Sequence, residues 1–366
     1  MKKVYILLII LLLSSCQSQI NPRKVAYPFS IYLFKNDEDF KQITKTNDEY
    51  GLAILSSTPY KSATVELESG LDVKLFIASS TGSNYAEALS NIRIEGCNMI
   101  NLHFVKSLIV HHNLLNDDEL LKATSFIYFN NVIRPNIYFY TTKKDFKEIY
   151  NVTSSNGKSP YFNMINSAIF PVDFERMKQM SLNDFLSSYL DKNRATYIID
   201  LDITKDNEFI KEQDDLKENP QYKINGLFYT TIDRNKFLFS YFDINELKGL
   251  SYYNRCTSYN FLTSDNKNQI FIESISFTRD IFSNNIHFKI DASLHSSLFI
   301  NNLTYIENDI EQKILTDLYQ TYHAAKDKNV DIYHMIDYSS RLNKKIETDT
   351  TFSVNLNFIF QNNAKL

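Results

Sequence analysis

Glycine is the residue that most limits this chain. Seven glycines stand in 366 residues, against a usual share of about 7%. Gly51, Gly70, Gly82, Gly96, Gly157, Gly226 and Gly249 never stand two apart. No glycine-rich loop can therefore cradle a phosphate, which excludes the dinucleotide fingerprint G-x-G-x-x-G and the P-loop. H-E-x-x-H, G-x-S-x-G and C-x-x-C are absent as well, so the commonest hydrolase, zinc-protease and dithiol chemistries have no signature here. With 43% hydrophobic and 22% charged residues, the chain can nonetheless bury a core. Its length fits two or three domains.

The first sixteen residues carry the sharpest address. Lys2 and Lys3 precede an unbroken apolar run over residues 4–13, followed by Ser14, Ser15 and Cys16. Ten apolar residues span about 15 Å as a helix, half a bilayer core, so residues 1–15 read as a signal peptide. A cysteine directly after small residues resembles the bacterial lipobox. Cys16 is thus the expected lipid-attachment residue, carrying a diacylglyceryl group and an N-acyl chain. Two or more chains anchor stably where one does so marginally, at about 0.8 kcal/mol per buried methylene. Residues 16–24 then form a short polar tether broken by Pro22.

The formal net charge of the whole chain is −4. Removing residues 1–15 takes away two of 39 basic residues against 43 acidic ones, leaving −6. No polybasic field is present, and nucleic acid is not an expected partner. Cys97 and Cys256 lie far apart along the chain. Export permits a disulfide, but two separate thiols are the preferred reading.

Capping residues punctuate the first half. Asn84 with Glu87, Asn116 before Asp117-Asp118-Glu119, Ser181 before Asp184 and Asp243 with Glu246 each announce a helix. Apolar strands are expected over residues 102–110, 136–141 and 196–203. The most charged stretch, near residues 207–219, suggests a domain boundary, with a surface excursion inside one domain as the alternative. This gives an N-terminal α+β region over 25–206, read as two subdomains, a charged linker over 207–221, and a C-terminal α+β domain over 222–366. In the latter, residues 222–231 and 236–241 flank a hairpin turn. A long helix over about 309–327, capped by Asn308, presents Ile310, Ile314, Leu318, Tyr322 and Ala325 on one face. A second helix over 331–342 precedes a closing strand in which Val354, Leu356, Phe358 and Phe360 alternate with asparagines. The expected class is α+β, with mixed or antiparallel sheets each covered by helices and the long helix packed on an antiparallel sheet.

Candidate chemistry is sparse. His111-His112 near Asp117-Asp118-Glu119 could suggest a metal, but neighbours on a strand point to opposite faces. Asp331, His334 and Asp337, with His323 or Tyr338 nearby, drift around a helix. No catalytic residue, metal or cofactor other than the covalent lipid at Cys16 is expected. Most of the 24 tyrosines and 27 phenylalanines read as core.

A series of segments runs from Cys16 through Glu87-Ala88-Leu89-Ser90-Asn91-Ile92, residues 102–110 and Arg134-Pro135-Asn136-Ile137-Tyr138-Phe139. It goes on with Ile224-Asn225-Gly226-Leu227-Phe228-Tyr229 and Glu246-Leu247-Lys248-Gly249-Leu250, then Ala324-Ala325-Lys326, Val330-Asp331-Ile332-Tyr333 and residues 353–360. In this order they resemble the C subunit of bacterial spore nutrient germinant receptors, the Ger(x)C-type lipoproteins. The family's aromatic-Asp pair after the lipid cysteine is replaced by Gln17-Ser18; its glycine-rich strand near the mature start and its Pro-x-Trp after the last helix are missing. The resemblance implies three small α+β domains and a non-enzymatic subunit at the outer face of the spore inner membrane. It also implies partnership with the multi-pass A and B membrane subunits. A nutrient-binding lipoprotein and a lipoprotein hydrolase are the alternatives.

Overall fold

The computed structural model describes residues 25–57, 75–94, 97, 99–130, 132–150, 179–191, 194–204, 221–233, 238–255, 260–262, 268–296, 303–344 and 349–359. Residues 1–24, with the expected signal peptide, Cys16 and tether, the charged stretch 207–219 and Cys256 lie outside these residues.

The first sheet is built from β1 (Val25–Lys35), β2 (Tyr50–Ser57), β3 (Leu75–Gly82), β4 (Met99–Ile100), β5 (Ser107–His111), β6 (Tyr138–Thr142), β7 (Tyr197–Thr204), β8 (Gln221–Thr230) and β9 (Phe239–Asp243). Its order is β3-β2-β1-β5-β6-β7-β8-β9, with β4 beside the start of β1. β1, β5, β6 and β7 are mutually parallel, and antiparallel pairs flank them on both sides. Strands buried on both faces carry apolar residues at every position rather than at alternate ones. Ser30-Ile31-Tyr32-Leu33-Phe34 shows this: Ile31 and Leu33 enter one core, Tyr32 and Phe34 the other.

Helices cover both faces. Among the described residues, α1 (Glu38–Thr44), α2 (Tyr85–Asn91), α3 (Asp117–Tyr128), α4 (Phe146–Tyr150) and α5 (Leu182–Leu190) belong to this unit. α2, α3 and α5 bury Ala88, Leu120, Ala123, Leu182 and Phe185 against Leu108, Val110 and Phe139. On the opposite face, Phe40, Phe146, Ile149 and Tyr150 cover Tyr32 and Phe34. The expected caps are present: the Asn84, Asn116 and Ser181 side chains accept from the Glu87, Asn116+3 (Glu119) and Asp184 backbone N–H groups, each at 3.0 Å. Glu87 does not complete a box with Asn84. Its carboxylate instead takes the Ser83 N–H at 2.8 Å and the Ser83 hydroxyl, which hold its pKa below the usual range.

The second unit contains α6 (Lys248–Tyr253), β10 (Asn260–Leu262), β11 (Asn268–Asp280), β12 (Asn285–Ser296), α7 (Leu303–Asp327), α8 (Met335–Arg341) and β13 (Thr351–Ile359). Its sheet order is β10-β11-β12-β13. α7 lays Ile306, Ile310, Ile314, Leu318 and Ala325 on the core. The class is α+β, with mixed sheets covered by helices.

The structure corrects several expected boundaries. β8 pairs antiparallel with β7 from Tyr197↔Tyr229 to Thr204↔Gln221. The charged stretch therefore joins two neighbouring strands of one sheet and does not separate an N-terminal region ending at 206 from a domain beginning at 222. The change of sheet falls later, after β9. The closing strand β13 runs parallel to β12, because α7 carries the chain back across the sheet before it re-enters. The long helix starts at Leu303, so Asn308 lies inside it; the buried Ile306 extends the apolar stripe one turn earlier. The expected strand over 102–110 is broken by a 3₁₀ turn at Leu102–Phe104, and β5 starts at Ser107. The expected helix over 331–342 is regular only from Met335. Asp331 precedes it as a cap, taking the N–H groups of Met335, Ile336 and Asp337 at 2.9, 2.8 and 3.2 Å.

A joint locks the two units. The Asp243–Glu246 pair forms a true capping box on a 3₁₀ turn, Ile244–Leu247, that runs straight into α6. Glu246 also meets Lys328 Nζ at 2.6 Å, and Lys328 Nζ reaches the Tyr241 carbonyl at 2.9 Å. α6 lies so close to α7 that a Cβ on Gly249 would stand 2.5 Å from Tyr333 Oη and 2.8 Å from the Asp317 carbonyl. The Gly249 N–H donates to Thr321 Oγ1 at 2.9 Å. Tyr253 stacks on Phe277 of β11 and donates to the Tyr333 carbonyl at 2.9 Å. Residues 246–250, quoted above as a family resemblance, are thus the point where the first sheet is fastened to the second.

Candidate functional site

The histidine pair does not gather a metal. His112 Nε2 donates to Asp200 Oδ1 at 2.7 Å, tying the end of β5 to β7. Asp200 is nearly fully buried and also accepts from Asn225 at 3.2 Å. His111 turns to the Lys143 carbonyl at 3.2 Å, and burial lowers its pKa. Of the nearby acids, Glu119 pairs with Lys122 at 3.1 Å and Lys35 at 3.5 Å, and Asp117 accepts from the Tyr189 hydroxyl.

The second cluster is architectural too. Burial raises Asp331 to about 6 even though its carboxylate takes three backbone N–H groups. His334 sits in a left-handed conformation at φ 54°. Burial first, then the charges of Arg194 and Arg279, lower its pKa to about 4. Asp337 accepts from Arg341 Nε at 2.9 Å. His323 packs among Tyr319 and Tyr322. Among the described residues, no three His, Cys, Asp or Glu side chains come together to hold a metal ion. Cys97 is a free thiol whose pKa burial raises.

A third region escaped the sequence reading, because it is assembled from three separate connections. β1 starts before its parallel neighbour: Ser30 is level with Ser107, so residues 25–29 project past β5. β4 pairs with this projection through Val25↔Met99 and Ala26↔Ile100. The Asn101 N–H donates to the Ala26 carbonyl and the Lys106 N–H to the Phe29 carbonyl, both at 2.8 Å. The Tyr138 N–H in turn reaches the Lys106 carbonyl at 2.8 Å, so the entry to β6 borders the same end.

This end is apolar and open. Met99 is 49% exposed and Phe104 48%, the latter ring set edge-on to Tyr27 at 5.2 Å. Beside them lies a cleft of about 740 Å³, lined by Leu89, Ile92, Arg93, Cys97, Met99 and Ile100 among others. The connection into β6 adds the exposed Phe129 and Val132. Basic residues border it in three connections, and the exposed Asp184 stands beside Pro135 at the start of α5. Arg93, Lys106 and Arg134 are exposed; Glu95 is the sole acid between Glu87 and Asp117, and none occurs between Glu119 and Asp145. The alternation of exposed and buried apolar residues here follows no helical or strand period, which is why no window of sequence reveals it.

Residues 42–203 match the family model described as the spore germination protein N-terminal domain. Over this range the chain is similar to that domain, in keeping with the expected resemblance to a spore germination protein. Among solved structures, the crystal structure of the GerBC protein is similar at 14% identity and a TM-score of 0.46, covering 87% of this chain and 95% of that one. No curated protein matches.

Proposed function

We propose that this chain is the lipid-anchored C-type subunit of a spore nutrient germinant receptor, acting through protein contacts and not through catalysis. The observation that carries the reading is the match of residues 42–203 to the spore germination domain. The lipobox-like sequence ending at Cys16 supports export and acylation, which would fix the body at the outer face of the cell membrane and, later, of the spore inner membrane. The partners are the multi-pass A and B subunits of the same receptor.

Tethering supplies the physical mechanism. Nine residue steps separate Cys16 from Val25, and a fully extended chain of that length reaches about 30 Å. A body held that close to a bilayer meets a membrane partner at an effective concentration in the millimolar range, so a weak interface suffices. The well-packed joint between the two sheets lets the body present its surface as one piece.

The reading is tested by deleting the gene and following nutrient-triggered germination, and by recovering the A and B subunits with the affinity-tagged chain from detergent-solubilised spore membranes. The expected results are loss of the nutrient response and co-purification of both subunits. Normal germination without the chain, or recovery of neither subunit, would overturn it.

A further inference from the structure

We infer that the end of the first sheet from which the tether leaves is a second membrane contact. The folded body rests there directly on a bilayer bearing anionic lipid, with Met99 and Phe104 in the headgroup region and Arg93, Lys106 and Arg134 on lipid phosphates. For its orientation the inference rests on the anchor at Cys16 proposed above.

Three observations converge. The first is position: β4 and the Leu102–Phe104 turn are hydrogen-bonded to the opening residues of β1, the residues nearest the tether. Any anchor at Cys16 therefore brings this end, and not the opposite one where β6 finishes at Thr142, nearest to the lipid. The second is chemistry. A large aromatic and a methionine, each about half exposed, are costly in water, and apolar side chains of this kind sink about 5–10 Å into the boundary between headgroups and acyl chains. The adjoining cleft, lined by Leu89, Ile92 and Ile100 together with Ser90, Arg93 and Cys97, offers a concave surface of mixed polarity suited to the headgroup boundary. The third is charge. The body after residue 15 has a formal charge of −6 from its composition, yet Arg93, Lys106 and Arg134 are all exposed around β4 and the entry to β6, with Asp184 the exposed acid beside Pro135. Basic residues close to an anionic lipid surface are drawn to it.

Direct contact would do more than retain the protein. It would fix the rotation of the body about its tether and so point a single face at the membrane subunits, which raises the productive fraction of encounters.

The chain contains no tryptophan, which gives a clean optical test. The full acylated chain is reconstituted into vesicles carrying Phe104→Trp, or Lys143→Trp at the opposite end of the sheet as the reference. Vesicles of phosphatidylcholine are compared with vesicles containing phosphatidylglycerol, each with brominated acyl chains as quencher. The expected result is a blue-shifted emission and severalfold stronger quenching for Phe104→Trp than for Lys143→Trp, larger with phosphatidylglycerol. Equal quenching at the two positions overturns the contact while leaving the anchor standing. Flotation is the separate readout of the anchor: if it is unaffected by Cys16→Ser, the anchor fails, and quenching of Phe104→Trp still decides the contact. Shielding of Phe104→Trp that requires co-reconstituted A and B subunits overturns lipid as the occupant and assigns the face to a protein.

Discussion

The two sheets bury themselves differently, and the difference shows what each contributes. The first holds four parallel strands at its centre and is covered on both faces, so its residues are apolar without interruption: Ile31 to Phe34, Leu108 to Val110 and Phe139 with Tyr140 are all buried. The second has one covered face. Along β12, Ile286, Phe288, Ile290 and Ala292 are buried while His287 and Lys289 are exposed. A doubly covered sheet makes a rigid slab whose ends, not faces, are available to partners. A sheet with one wet face keeps that face, including Asn355, for solvent or contact. The candidate site lies at an end of the first kind, as its geometry requires.

Substitutions break or sharpen this contrast. The largest expected effect is Phe139→Ala, which opens a cavity between two covered faces and costs about 3–5 kcal/mol in urea unfolding; Asn355→Ala on the wet face of the second sheet stays within about 0.5 kcal/mol. Next comes Gly249→Ala at the joint. Its new Cβ meets Tyr333 and the α7 backbone, and overpacking of this kind costs about 1–3 kcal/mol. The loss is read as a lower urea midpoint by both tyrosine fluorescence and far-ultraviolet circular dichroism. An unchanged midpoint would show that α6 and α7 accommodate the added methyl group. Lys328→Gln is expected to cost about 1 kcal/mol, since it removes a partly buried pair with Glu246 and a bond to the Tyr241 carbonyl.

The smallest effect is one of pH. Asp331 has a folded pKa near 6, above its value in the unfolded chain, so the folded state takes up the proton first and this residue adds stability as pH falls from 6 to 4. His334, near 4 when folded, is protonated first in the unfolded chain, and stability is lost as pH falls from about 6.5 to 4. The two oppose each other. The melting temperature of the parent chain is therefore nearly flat across this window, whereas His334→Asn, which tolerates the left-handed backbone, gains stability on acidification. A parallel decline in both proteins would contradict the assignment.

Much of the architecture was legible because local chemistry specifies it. Asn84, Asn116, Ser181 and Asp243 each start a helical segment where their side chains can take an orphan N–H, and residues 310–325 declare their buried face by spacing. What was not legible depends on distant pairing. Nothing local tells that Gln221–Thr230 returns to the strand before the charged stretch, since a chain can leave a sheet for many residues and still re-pair. β13 reads as a strand with one wet face whether its neighbour is parallel or antiparallel. The proposed anchor at Cys16 is a sequence signal alone, and the end of the sheet where β1 begins is the converse: Met99, Phe104 and Arg134 are unremarkable until β1 draws their connections together.

The central claim is a tethered germination subunit, and the most direct measurement is nutrient-triggered germination of spores whose sole copy of this protein carries Cys16→Ala. The account predicts that the altered chain leaves the membrane fraction and that the nutrient response falls to that of the deletion strain, with spore yield unchanged. Spores that germinate at the parental rate with the chain released from the membrane would contradict it.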